Sequence, residues 1–431
     1  MLQTHQLIKT VEANTMATSR KDILFTNQAD SPESFPDPRA PRNPITEYVL
    51  AELPLDLAAI QEGTINYVDL ATKHAVLLDG IAPTIEANTD EQAATVMQMD
   101  LAFMLGGYLP IGSAKAYDPG VEYTGPNAYE VAPPQLLTLL ELQANRFELP
   151  RRMDYELIID VNSAEYHRTG TMRTFLTGED ALGERDFYQG HSEAEVFIKE
   201  AAAQLGALID NPELPNKAEI LRAAAANVRI LDKYMRKYQD NNGQGFKNSV
   251  FDAMRPYLAS YPDGIRNASG AFMPSVQLAE LALHAPSEQY DKQLDESMPY
   301  FPRWARAIMP QLREDSRSGR NLEDMVKSGE LQLTDEEQQL LGSIVDQFIG
   351  FRKSHLSVVR TKNIPIPDKP ASIPGFQAFG EPDVMEAGGA HGTADFNILN
   401  LLAGSTHRLV DLRRKLQESR AQRATTGDTD S

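Results

Sequence analysis

Apolar residues recur along this chain at helical rather than alternating spacing, and that periodicity limits the fold more than any other feature. The segments LDLAAIQEGTINYVDLATKHAVLL, AATVMQMDLAFMLGGYL and PPQLLTLLELQANRF set apolar side chains three and four residues apart, which aligns them on one face of a helix. The prolines of the third segment stand where a helix can begin. VFIKEAAAQLGALI continues the pattern, and further helices are expected at about 216–239, 247–259, 273–285 and 299–312. Thr334 and Glu337 have the spacing of a capping box that opens a long helix. A last amphipathic helix is expected over about 394–417. Strand patterns are scarce, so the chain reads as all-α.

Interruptions in this pattern suggest the domain plan. The run DSPESFPDPRAPRNP, between Asp30 and Pro44, is rich in proline and polar residues, so residues 1–45 read as an extended, flexible arm and the packed body starts near Ile45. RTGTMRTFLTGEDALGERDFYQGH is rich in glycine and charge, which places a boundary at about residue 190. It separates a small helical domain (46–190) from a larger one (191–417). NIPIPDKPASIPGFQAFGEPDVMEAGGAHG, from Asn363 to Gly392, has too much proline and glycine for a regular element, and loops of that length are usually functional or disordered. The tail 418–431 reads as disordered.

Composition narrows the chemistry. Cysteine is absent, which excludes disulfides, iron–sulfur clusters, Cys-ligated zinc, thiolate-ligated haem and covalent haem attachment. With 61 acidic against 41 basic residues the formal net charge is −20, so nucleic acid and anionic membranes are poor partners and small molecules or proteins better ones. The first twenty residues lack the apolar run of a signal peptide, and no stretch approaches the length needed to cross a bilayer. A cytoplasmic location is the expectation.

On the long helix, Ile344, Phe348, Phe351, His355 and Val358 follow one another at intervals of four, three, four and three. His355 therefore falls on an apolar stripe facing the interior, where a neutral imidazole is able to ligate iron; a lone interior histidine is more often a hydrogen-bonded core residue. Arg352, Lys353 and Arg360 lie within two turns of it and are suited to haem propionates, unless they form an ordinary solvated helix face. The other histidines, His5, His74, His167, His191, His284 and His407, show no His-x-x-x-His spacing, so a non-haem metal site has no support.

Five segments together resemble the indoleamine 2,3-dioxygenase superfamily. GFRKSHLSVVRTKNIPIP is similar to its proximal-helix segment, whose Arg-x-x-His-Leu pattern falls on Arg352, His355 and Leu356. GGAHGTADFNILNLLAGSTHRL is similar to its glycine-rich loop and following helix. VFDAMRPYLASY resembles the segment whose arginine binds the substrate carboxylate, which maps onto Arg255. NASGAFMPSVQLAEL and MPYFPRWARAIMPQL resemble the family's distal stretch and its Tyr-Met-Pro-Pro-x-His-Arg segment. The five occur in family order across about residues 247–412, while the N-terminal half matches only in helical character.

The resemblance implies an all-α fold with a small N-terminal helical domain over a larger haem-binding domain. It implies a non-covalent haem b held by His355 as axial ligand to the iron, with Arg352, Arg360, Gly389, Gly392 and Thr393 as further cofactor contacts. O2 is the co-substrate, an external reductant is possible, and oligomeric state is not specified. Arg255, His391 and the distal wall Ser269, Gly270 and Ala271 are the expected catalytic positions. The substrate would be tryptophan or a related indole or aromatic amino acid. The Arg255-Pro256 pair and the distal loop's poor match to Gly-Gly-Ser-Ala-Gly lean toward the monodechloroaminopyrrolnitrin synthase branch, and the divergent distal residues, with His391 and Phe272 where the dioxygenases carry glycine, toward specialised metabolism. Ring-opening tryptophan catabolism and a non-catalytic haem sensor are the alternatives. Ser192 and Val196 are the distal-helix candidates, and the bland reading of Arg255 is a surface salt bridge.

Overall fold

Helix starts in this chain are fixed by side chains that take up otherwise orphaned backbone N–H groups. Helix α1 (Pro44–Ala51) opens on Asn43, whose side chain accepts from the Thr46 amide. α2 (Leu53–Gln61) follows directly, and a capping box between Asn66 and Asp69 opens α3 (Tyr67–Ala87). Asp90 caps α4 (Glu91–Gly106). A computed structural model describes residues 43–111, 125–239, 250, 253–258, 261–263, 273–363 and 409–418. Among the described residues the regular structure is helical and no strand occurs, as the spacing of apolar residues requires. No described helix is long and apolar enough to cross a membrane.

After the short α5 (Ala128–Val131), α6 (Pro134–Phe147) packs on α3 and α4. A π-helical turn, Glu156–Val161, runs straight into α7 (Asn162–Thr169). Then come α8 (Gly178–Asp210), α9 (Lys217–Gln239) and a 3-10 turn, Arg255–Leu258. The rest comprises α10 (Pro274–Leu283), α11 (Glu288–Ser297), α12 (Arg303–Arg317), α13 (Leu322–Ser328) and α14 (Asp335–Asn363). Residues 409–418 are helical. The capping box foreseen at the start of α14 forms: Thr334 N donates to Glu337 at 2.8 Å and Glu337 N to Thr334 Oγ1 at 3.3 Å.

One expectation about elements is corrected and another refined. The helix expected over 247–259 is helical at its described residues, α at Val250, Ala253 and Met254 and 3-10 over Arg255–Leu258. Pro256 accounts for the change of form, since it has no N–H to donate and disfavours the α conformation at Arg255 before it. The glycine- and charge-rich interval is helical from Gly178 onward, so residue 190 lies inside the 33-residue α8 rather than at a break. Gly183 is a packing glycine: a Cβ there would stand 2.9 Å from Val250. The expected arm gives way to helix at Pro44. The loop from residue 364 to 392 and the tail beyond 418 lie outside the described residues.

α8 is the axis of the assembly. It packs against α9 on one side and α10 on another, and α9 packs against α14. Every residue of α10 is buried. One apolar core runs from Ile45 to Leu416, so the first helices and the later ones share an interior. Their junction is also polar: Arg152 pairs with Asp263 at 3.0 Å, and Arg303 donates to Glu156 through its amide and its Nε. Deep in the first half, Arg173 and Asp100, both fully buried, pair at 2.7 Å. His74 lies between the Tyr48 and Tyr108 hydroxyls, at 2.8 and 2.9 Å, and burial pushes its imidazole down to about 3, which keeps it neutral.

Glu184 tests how far buried polar groups hold these elements together. Its carboxylate accepts from the amides of Phe175 and Leu176 and from the Tyr188 hydroxyl at 2.7–3.0 Å. It thereby fixes the segment leading into α8. Glu184→Ala leaves two buried backbone donors without acceptors and is expected to lower stability by about 2–4 kcal/mol. Urea denaturation measures this, and a variant within experimental error of the parent would show that water replaces the carboxylate.

Candidate functional site

The proximal segment is built on α14. Ile344 and Phe348 are fully buried and Phe351 nearly so, so the apolar stripe foreseen in the sequence faces the core as far as Phe351. His355 stands one turn further along the same helix, within Asp335–Asn363. Its backbone is helical, and its side chain lies outside the described residues, as does that of Arg360. Lys353 is exposed.

Arg352 is 5% exposed, and its Nε donates to Glu280 Oε1 at 2.7 Å. The Tyr290 hydroxyl donates to the other carboxylate oxygen at 2.8 Å. The guanidinium expected to reach a propionate is thus engaged along its Nε edge by an internal carboxylate on α10. The pair joins α14 to α10 one turn before His355, and the Glu280 charge raises the Arg352 guanidinium even though burial opposes ionisation.

Arg255 heads the 3-10 turn, flanked by the buried Met254 and followed by the buried Tyr257. Tyr257 stacks on Phe175 with centroids 4.8 Å apart, and its hydroxyl accepts from Gln61 Nε2, so the turn is anchored to the first half of the chain. The Arg255 side chain is outside the described residues, and so are Ser269, Gly270, Ala271, Phe272, Gly389, His391, Gly392 and Thr393. The structure therefore places His355, Arg352 and Arg360 on one helix and Arg255 on a separate turn. On α8, Val196 is 60% exposed and points away from the interior, while Ser192 is half-buried.

Sequence reasoning passed over a group of polar residues where α8, α10 and the π turn meet. Tyr188, His191, Glu195, Ile198, Ala202 and Leu205 succeed one another at intervals of three and four along α8, so Glu195 occupies a core position of an apolar stripe. It is 5% exposed. Ser275, in the first turn of α10, and Tyr155, just before the π turn, lie close enough to favour the ionised form. Burial outweighs them and pushes the carboxyl up to about 7. His191 is one turn earlier, its Nδ1 2.9 Å from the Phe187 carbonyl and its ring 6.4 Å from that of Tyr155. Burial lowers the His191 pKa, so the ring is neutral. The spacing of Glu195 on the stripe was the legible signal.

The sign of the resulting pH effect is fixed. Folded Glu195 keeps its proton up to about 7, whereas the unfolded chain loses it near 4.5. Its contribution to stability is therefore full below the unfolded value and is lost as pH rises through 7. Glu195→Gln cannot ionise, so relative to the parent it should gain on the order of 3 kcal/mol between about pH 5 and pH 8. Denaturant melts at the two pH values measure the gain, and an unchanged difference would rule out titration of Glu195 in this range. No protein-family model and no curated protein matches the chain.

Proposed function

We propose that this chain binds haem b through His355 and acts as an oxygenase on tryptophan or a related indole or aromatic amino acid, in the manner of the indoleamine 2,3-dioxygenase superfamily. The observation that carries the reading is the register of α14. The stripe Ile344, Phe348 and Phe351 is buried, and His355 continues it in the segment that most resembles the superfamily's proximal helix. A neutral imidazole is the axial donor that a chain without cysteine has to offer. Arg352 is tied to Glu280, so Arg360 is the better propionate partner.

When bound, a histidine-ligated haem supplies an iron with an open face for O2. The chain's own residues do the rest. Arg255 pairs with the substrate carboxylate and orients the aromatic edge, a positioning effect worth several kcal/mol of barrier. His391 is available to move a proton in the glycine-rich loop. The departures at His391 and Phe272 favour specialised metabolism over ring-opening catabolism.

Spectra of protein expressed with a haem precursor, taken as ferric, ferrous and ferrous-CO forms with and without tryptophan, test the reading. A histidine-type Soret band that shifts with tryptophan supports it. A Soret band indifferent to every indole and aromatic amino acid would favour a non-catalytic haem protein, and the absence of a band would remove the proposal. Arg255→Ala should keep the Soret band and weaken carboxylate-bearing ligands by about ten- to a hundred-fold, leaving indole itself unaffected. Equal weakening of tryptophan and indole would remove Arg255 from the carboxylate site.

A further inference from the structure

We propose that the groove between α1 and α3 is the docking site of the chain's own residues 36–42, with Arg39 and Arg42 pairing with carboxylates on its rim. The inference is independent of the oxygenase reading. The groove has a volume of about 580 Å³. Its floor is the buried Tyr48, and Pro44, Val76 and Leu77 add apolar surface. Val76 is 70% exposed, so the described residues leave this wall open to water.

The rim is charged, and its charge is unbalanced. Glu47, Glu52 and Asp69 stand on it against Lys73. Lys73 is already engaged, its Nζ 2.9 Å from Glu52 and 2.8 Å from Asp56 of α2. Among the described residues Glu47 and Asp69 enter no ion pair, and Asp69 accepts from the Asn66 amide through one oxygen. The floor is held in place: the Tyr48 hydroxyl donates to Asp56 at 2.8 Å and lies 2.8 Å from His74 Nε2. Such a preformed groove suits an occupant that brings positive charge together with apolar surface.

A segment with both properties is attached to the groove itself. Residues 1–42 join the described structure at Asn43, the cap of α1, and Pro44, the first residue of α1, is part of the groove wall. Pro36 to Arg42 read PDPRAPR, with Arg39 and Arg42 three apart, Asp37 as the lone acid, and prolines at 36, 38 and 41. Guanidinium pairs bidentately with carboxylate, and proline gives up little chain entropy on docking. The chain is long enough: Pro44 to Glu52 spans about 12 Å of helix, and the stretch from Arg39 to Pro44 reaches up to about 17 Å. Tethering supplies an effective concentration on the order of millimolar, so pairs too weak to join separate molecules suffice. A second copy would bring a net charge of −20 toward the same acidic rim, which favours the tethered segment.

The chain has no cysteine, so Val76→Cys places a single thiol on the groove wall. Its rate of alkylation by N-ethylmaleimide, a neutral reagent, reports whether that wall is covered. Val68→Cys is the control, since Val68 is 68% exposed on the same helix and lies outside the groove lining. In the full chain the Val76→Cys thiol is expected to react about five-fold or more slowly than in the same chain carrying Arg39→Glu and Arg42→Glu, with the Val68→Cys rate unchanged. Raising the salt from about 0.05 to 1 M should narrow the gap by screening the pairs. Equal Val76→Cys rates in the two backgrounds would overturn the proposal. Protection that grows with protein concentration would also overturn it, by assigning the groove to a second copy. If the double reversal does not fold, Arg39→Ala with Arg42→Ala takes its place with the same expected direction.

Discussion

His355→Ala, purified from cells supplied with a haem precursor, is expected to lose the Soret band of the parent while keeping its helical circular dichroism. An axial ligand contributes more to haem retention than the outer-sphere groups whose removal alone costs ten- to a hundred-fold, so the loss of bound haem should be on the order of a hundred-fold. No thiolate is present to take over. The helix itself should survive, because Ile344, Val345 and Phe348 bury it against the core and Arg352 anchors it to α10 without help from the imidazole. Added imidazole should restore part of the band by filling the vacated coordination position. A variant that retains the parent's Soret intensity would move the ligand away from His355 and remove the proposed function in its present form.

The helices were legible because burial on one face imposes a period that few other arrangements satisfy. Lys217–Gln239 and Pro274–Leu283 lie where the apolar spacing put them, and Thr334 and Glu337 marked the start of α14 correctly. The error came from reading glycine by composition alone. Gly183 and Gly190 looked like breaks, yet Gly190 is buried within a continuous helix and Gly183 admits Val250. Whether such a glycine ends a helix or lets a neighbour approach depends on a contact distant in sequence. Pro256 left its element helical and marks where it changes from α to 3-10 form.

The candidate site was legible in its residue types and much less so in its pairings. His355 and Arg352 could be placed on one helix from spacing alone, but the partner of Arg352 is 72 positions away in a segment of otherwise apolar and small residues. A glutamate in PSVQLAELAL is uninformative until α10 is seen to be buried along its whole length. Glu195 was more accessible to reasoning, because it interrupts a stripe of apolar residues at core spacing. It was overlooked because the family comparison directed attention to its neighbours Ser192 and Val196, and Val196 proves to be exposed.

Breaking the Arg352–Glu280 pair from one side should be among the most damaging single changes available in the described structure. Glu280 is fully buried and Arg352 nearly so, which means that removing either charge strands the other away from water. Arg352→Met is expected to cost about 3–5 kcal/mol, and Glu280→Leu a similar amount, since it also strips the Tyr290 hydroxyl of its acceptor. The double variant Arg352→Met with Glu280→Leu leaves no buried charge, and replacement of a buried pair by apolar residues is often close to neutral. It should therefore be more stable than either single variant, which requires a coupling in a double-mutant cycle of urea melts larger than the cost of one single variant, so above about 3–5 kcal/mol. Simple additivity would show that each group is satisfied by water when its partner is gone. The double variant also separates stability from positioning. α14 remains packed on α9, but its polar tie to α10 is lost one turn before His355. If that tie sets the histidine's register, haem retention and the tryptophan-induced Soret shift should fall in the double variant even where its melting curve matches the parent's.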